Sequence, residues 1–106
     1  MFFTRKPSIT PEQAAARLKA DELVLVDVRE RAELRAGRVH GAINIPLRQL
    51  RDRLGELDRN RQVAFICRSG ARSSTATGVA MKAGYDAVNV RGGLSAWSHA
   101  GLPLAL

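Results

Sequence analysis

Short apolar, β-branched runs alternate with stretches of helical spacing along this chain. Residues 23–26 read Leu-Val-Leu-Val, a continuous apolar run of the kind found in strands covered on both faces. Residues 42–45 and 63–66 repeat the signal, the first closed by Pro46 and the second running straight into Cys67. Residues 87–90 give the last such run. Between these runs the period changes. Thr10-Pro11-Glu12-Gln13 reads as a helix start, in which Thr10 caps, Pro11 suits the first turn and Gln13 completes a capping box. Ala14, Ala15 and Leu18 give that helix its apolar side.

After Asp27-Val28-Arg29-Glu30 a short helical stretch reaches about Ala36. Leu47, Leu50, Leu54 and Leu57 predict an amphipathic helix over 47–57. Ala76, Val79, Ala80 and Ala83 predict another that ends near Gly84, and Gly92-Gly93 lead into a short helix carrying Trp97. Such alternation argues for an α/β domain built on a largely parallel sheet.

The segment FICRSGARSS, residues 65–74, holds the chemistry. Cys67 lies where a buried run ends, and Ser73 is expected to open the next helix. In open α/β sheets that carboxyl edge is where ligands bind. Arg68-Ser69-Gly70-Ala71-Arg72 is small enough to curl, turning its N–H groups inward beside the free donors of the helix start. A thiol in such a cradle, flanked by two guanidinium groups, is expected to ionise early, and a thiolate needs no separate base. The alternative is a buried structural thiol, a common use of free cysteine. A core cysteine has no need of a Ser/Gly-rich, doubly basic turn behind it, which favours the nucleophile.

Composition narrows the classes. The 106 residues, 45% hydrophobic and 25% charged, make one ordinary globular domain, with its core expected over about 8–104. A single cysteine excludes an internal disulfide, and with only two histidines, His40 and His99, no closed zinc site is expected. Neither a metal nor a cofactor is called for. The net charge of +7 raises nucleic acid as a partner, but 14 of the 17 basic residues are arginines scattered from Arg5 to Arg91. With one tyrosine and one tryptophan the chain offers no aromatic–basic stacking surface, so no nucleic acid is expected. A general attraction for anions is the simpler reading. MFFTRKPSITPEQ lacks the apolar run of a signal peptide and no later segment spans a membrane, so the cytoplasm is the expected location unless a leader has been removed. Nothing demands more than a monomer.

With these residues in place, the chain resembles a single-domain rhodanese, of the sulfurtransferase family, over nearly its whole length. Val26-Asp27-Val28-Arg29-Glu30 resembles the family's DVRE. Residues 33–46, ELRAGRVHGAINIP, resemble its E-[FY]-x-x-G-H-I-x-G-A-x-N-I-P signature, with Arg38 where histidine is frequent and His40 where proline is. Cys67-Arg68-Ser69-Gly70-Ala71-Arg72-Ser73 matches the active-site loop. Gly92-Gly93-Leu94-Ser95-Ala96-Trp97, then Gly101-Leu102-Pro103, matches the C-terminal pattern. The resemblance implies a three-layer fold, a five-stranded, mainly parallel sheet with helices on both faces. It also implies that Cys67 takes a sulfane sulfur from a small anionic donor such as thiosulfate, or from a persulfide, and holds it as a persulfide stabilised by the loop N–H groups. Cyanide or a thiol, including a thiol on a protein, then accepts it.

A thiolate in an arginine-bearing cradle also describes phosphatases and arsenate reductases of this fold. Those carry Cys-x5-Arg, whereas here Ser73 stands at that position and the spacing to Arg72 is Cys-x4-Arg. Ile66 replaces the histidine that usually precedes the phosphatase cysteine, and no aspartate is clearly placed as general acid. The shorter ring suits a terminal sulfur better than a phosphoryl group. A regulatory binding module is the third reading, although such modules often lack the cysteine.

Among the remaining residues, Asp27 and Arg29 are supporting candidates at the ligand edge. Asp27 is expected to accept hydrogen bonds from the cysteine loop or a neighbouring turn. Arg72 is the better candidate for contact with an anionic donor, while Arg68 points to solvent and acts through its field. Trp97 reads as core, both histidines as surface or structural residues, and Gly92-Gly93 as a turn whose bare backbone approaches the pocket.

Overall fold

The computed structural model describes residues 6–106; residues 1–5, part of the stretch read as carrying no leader, lie outside the described residues. Five strands appear: β1 (Ser8–Ile9), β2 (Leu23–Asp27), β3 (Ile43–Asn44), β4 (Gln62–Ile66) and β5 (Ala87–Val90). They form one sheet in the order β1-β5-β4-β2-β3, with every neighbouring pair parallel. The mainly parallel sheet expected from the sequence is thus wholly parallel. In register, Val26 of β2 faces Phe65 of β4, and Phe65 faces Asn89 of β5. Strand β4 is therefore central, and its carboxyl end opens between two neighbours.

Alternation along the central strands sends side chains to two separate cores. Val63, Phe65 and Cys67 pack with Val26, Val28, Ala76 and Ala80 on the face covered by α3 (Ala71–Lys82). Ala64 and Ile66 pack with Leu23, Leu25, Val90 and Trp97 on the face covered by α1 (Pro11–Lys19) and a C-terminal helix at Gly93–His99. Phe65 and Ile66 are fully buried, which stabilises the fold by roughly 1.5–3 kcal/mol each. This double covering explains why the strand sequences read as apolar runs.

The first helix starts as expected. Gln13 donates its backbone N–H to the Thr10 hydroxyl at 3.1 Å, and the Gln13 side chain accepts from the Thr10 N–H at 3.0 Å. Three features differ from the sequence reading. Strand β1 pairs two residues with Asn89 and Val90, a segment too short to carry any period. The helix expected over 47–57 is a composite of a 3-10 turn, α2 (Leu50–Arg53) and a second 3-10 turn. There the Leu57 amide returns to the Leu54 carbonyl at 2.9 Å, and the Tyr85 hydroxyl donates to that carbonyl at 2.6 Å. Finally, α3 begins at Ala71 rather than Ser73, because Gly70 at φ 107° turns the chain into the helix two residues early. Arg72 and Ser73 consequently lie inside the first turn, where backbone N–H groups have no helical acceptor. The C-terminal helix at Gly93–His99 is α4.

Candidate active site

Cys67 follows the last residue of β4 and is 1% exposed. Its Sγ sits at the centre of a short arc of donors. The Gly70 N–H lies 3.1 Å away, the Ser73 N–H 3.4 Å and the Ser73 hydroxyl 3.2 Å. The early helix start creates this arrangement, since it swings Ser73 under the sulfur with both its polar groups free. Gly70 fits its place for steric reasons as well: a Cβ there would lie 3.4 Å from the Gly92 nitrogen, on a backbone that L side chains rarely adopt.

Burial pushes the Cys67 thiol up, but hydrogen bonds from the Ser73 hydroxyl and from the N–H groups of Ser73, Gly70 and Ser69 outweigh it. The thiol is left more acidic than an ordinary cysteine. The inward N–H groups expected from the sequence are among the causes, joined by the Ser73 hydroxyl, and the charges of Arg72 and Cys67 also interact.

The neighbouring glycine turn braces the loop from outside. Leu94 donates its N–H to the Cys67 carbonyl at 2.8 Å, and Ser95 to the Arg68 carbonyl at 3.0 Å. A Cβ on Gly93 would meet the Cys67 carbonyl oxygen and the Arg68 carbonyl, so only glycine admits this approach. The expected close passage of Gly92-Gly93 against the pocket is present.

A match to the Rhodanese-like domain model spans residues 10–100. The chain belongs to the rhodanese-like family. Among relatives of this rhodanese-like chain, a "Sulfurtransferase" from Allochromatium vinosum is 39% identical, covering 91% of this chain and 92% of the relative. The "Thiosulfate sulfurtransferase GlpE" of Actinobacillus succinogenes is 31% identical, covering 98% and 92% respectively. Among solved structures, a rhodanese-related protein from Thermoplasma volcanium superposes with a TM-score of 0.88 at 34% identity, covering 94% of this chain and 98% of that one. The α/β rhodanese fold and the relation to sulfurtransferases are therefore established.

Not every expected site residue of the rhodanese-like chain reaches the sulfur. The Arg72 guanidinium instead forms a two-pronged pair with Glu33, at 2.7 and 3.0 Å. The sequence assigns Glu33 no role in the site, since a pair separated by 39 positions leaves no local signal. Arg68, Ser69 and Ala71 are exposed around the mouth.

Asp27 accepts from its own turn rather than from the cysteine loop. Its carboxylate takes the Arg29 backbone N–H at 3.0 Å and the guanidinium at 2.8–3.1 Å, with both side chains buried. The same Arg29 donates to the carbonyls of Glu33 and Gly37, at 3.2 and 2.8 Å. The two therefore act one step back, fixing the 3-10 segment Arg31–Ala36 that presents Glu33 to the loop.

A cavity of about 720 Å³ lies on the α1/α4 face against Leu18, Val39, Trp97 and Leu102, apart from Cys67. Trp97 is core, with its indole N–H donated to the Pro103 carbonyl at 3.0 Å. His40 and His99 are exposed. Among the described residues no cluster could hold a metal ion, and no helix is long and apolar enough to cross a membrane.

Proposed function

We propose that this chain moves a sulfane sulfur through a persulfide on Cys67. The observation that carries the reading is the arc of donors on Sγ, from the Gly70 N–H, the Ser73 N–H and the Ser73 hydroxyl. The Cys67 thiolate attacks the outer sulfur of thiosulfate. The S–S bond of the donor breaks, sulfite leaves with the bonding pair, and Cys67 keeps a terminal sulfur bearing one negative charge. The loop N–H groups face that charge as an oxyanion hole faces oxygen. Attack by cyanide on the terminal sulfur releases thiocyanate and regenerates the thiolate; a thiolate acceptor leaves instead as its own persulfide. An alkyl persulfide donor serves the first step equally, with its thiolate as leaving group.

The relative named as a thiosulfate sulfurtransferase supports thiosulfate as donor. With no second cysteine in these 106 residues, the acceptor is external, a small thiol or a thiol on a partner protein. A reducing location such as the cytoplasm suits a reaction that needs Cys67 as a free thiolate. The Cys-x4-Arg spacing, with Ser73 where a phosphatase carries its arginine, speaks against a phosphatase. Thiocyanate release from thiosulfate and cyanide, run beside hydrolysis of an aryl phosphate, tests the assignment. Thiocyanate without phosphate is expected; phosphate without thiocyanate would overturn it.

A further inference from the structure

Arg72 occupies the position from which a cation ought to greet an incoming anion. It lies in the first turn of α3, beside Ser73, whose N–H and hydroxyl both touch the sulfur. Yet both terminal nitrogens of its guanidinium are taken by Glu33. Such a fork-to-fork pair is the strongest ordinary geometry for arginine and carboxylate. Glu33 is itself held firmly. Its carboxylate also accepts the Glu30 N–H at 2.8 Å, and its carbonyl accepts from Arg29, which the buried Asp27 anchors. A continuous polar chain thus runs from the end of β2 to the cysteine loop. Both partners remain about a third exposed, at 37% and 34%, so an anion in the mouth can compete for the arginine.

We propose that Glu33 is a specificity-determining residue of this sulfurtransferase, withholding the Arg72 charge from the mouth and so lowering the advantage of dianionic donors over singly charged ones. The inference rests on the persulfide reading above and names the donor class it favours: alkyl persulfides with an uncharged tail, relative to thiosulfate. Such donors carry one negative charge, on the sulfur that transfers. The uncompensated cradle of N–H dipoles suffices for that charge. Thiosulfate brings a second unit on its sulfonate end and gains most from a free guanidinium nearby.

The test compares thiosulfate with 2-hydroxyethyl persulfide as donors, cyanide as acceptor, in wild type, Glu33→Gln and the double variant Glu33→Gln/Arg72→Gln. Freeing one unit charge several ångströms from a dianion in a partly wet mouth is expected to raise kcat/KM for thiosulfate about five-fold in Glu33→Gln. The gain should appear mainly as a lower KM and shrink at high salt. The persulfide should change less than about two-fold, and the double variant should restore the wild-type donor ratio, because charge and counter-charge are removed together. An unchanged donor ratio in Glu33→Gln, or equal losses with both donors, would overturn the proposal and leave Glu33 as a brace for the loop. If Glu33→Gln fails to fold, a donor ratio in the double variant far from that of wild type overturns it as well. Wild type inactive with both donors would instead remove the sulfurtransferase reading itself, and this inference with it.

Discussion

The Leu94 amide sits 2.8 Å from the carbonyl oxygen of Cys67, so the start of α4 is hydrogen-bonded to the very residue that carries the sulfur. This bond exists only because Gly93, at φ 60°, lets the two backbones meet. A Cβ there would come within 2.7 Å of Arg68 backbone atoms. Gly93→Ala is expected to lose at least about 2 kcal/mol of stability, from left-handed strain plus a clash with backbone that cannot yield. Urea denaturation measures it; a loss below a few tenths of a kcal/mol would contradict the packing described.

Ser73 supplies two of the donors on Sγ, one of them its hydroxyl at 3.2 Å. Since these bonds favour the thiolate, activity should rise with pH around a midpoint below that of a free cysteine. Ser73→Ala removes the hydroxyl and keeps the N–H. The midpoint of the rate of Cys67 alkylation against pH should move up, since a hydrogen bond to the thiolate is lost. A midpoint that stays put would show that the backbone N–H groups alone set the ionisation.

Asp27 and Arg29 form a pair with side chains only 2% and 4% exposed. Removing one partner strands a buried charge, so Asp27→Ala should cost about 3–5 kcal/mol. Neither residue contacts the sulfur, so whatever fraction of Asp27→Ala folds should still be alkylated at Cys67. A stable variant with a dead thiol would place Asp27 in the chemistry after all.

Glu33 is held down to about 2 by the Arg72 hydrogen bonds first, against an opposing burial effect and with further help from the Glu30 N–H. A carboxyl depressed on folding stabilises the native state above its unfolded value of 4.5, and that contribution disappears as pH falls toward 2. The exposure of both partners keeps the effect modest through solvent screening. Thermal midpoints measured between these two pH values should fall less steeply in Glu33→Gln than in wild type. Parallel curves would show that the pair contributes nothing to acid stability.

Much of this architecture is legible in local pattern. The apolar runs place β2, β4 and β5 because each is buried on two faces, and Thr10-Pro11-Glu12-Gln13 announces the α1 cap through chemistry confined to four residues. Cys67 at the end of a buried run marks the ligand edge for the same reason. What stays hidden is whatever depends on distant partners. Strand β1 draws its identity from β5, some eighty positions away. Leucines at 47, 50, 54 and 57 fit both helix types, and the Tyr85 hydroxyl helps decide between them. Arg72 looks free for substrate until the fold brings Glu33 to it.

Sulfur capture by Cys67 is tested most directly by intact-protein mass measurement after thiosulfate treatment, comparing wild type with Cys67→Ser. Wild type should gain the mass of one sulfur atom, lost again on adding cyanide or a thiol, and Cys67→Ser should gain none. An unchanged wild-type mass, or the same gain in Cys67→Ser, would contradict a persulfide at this site.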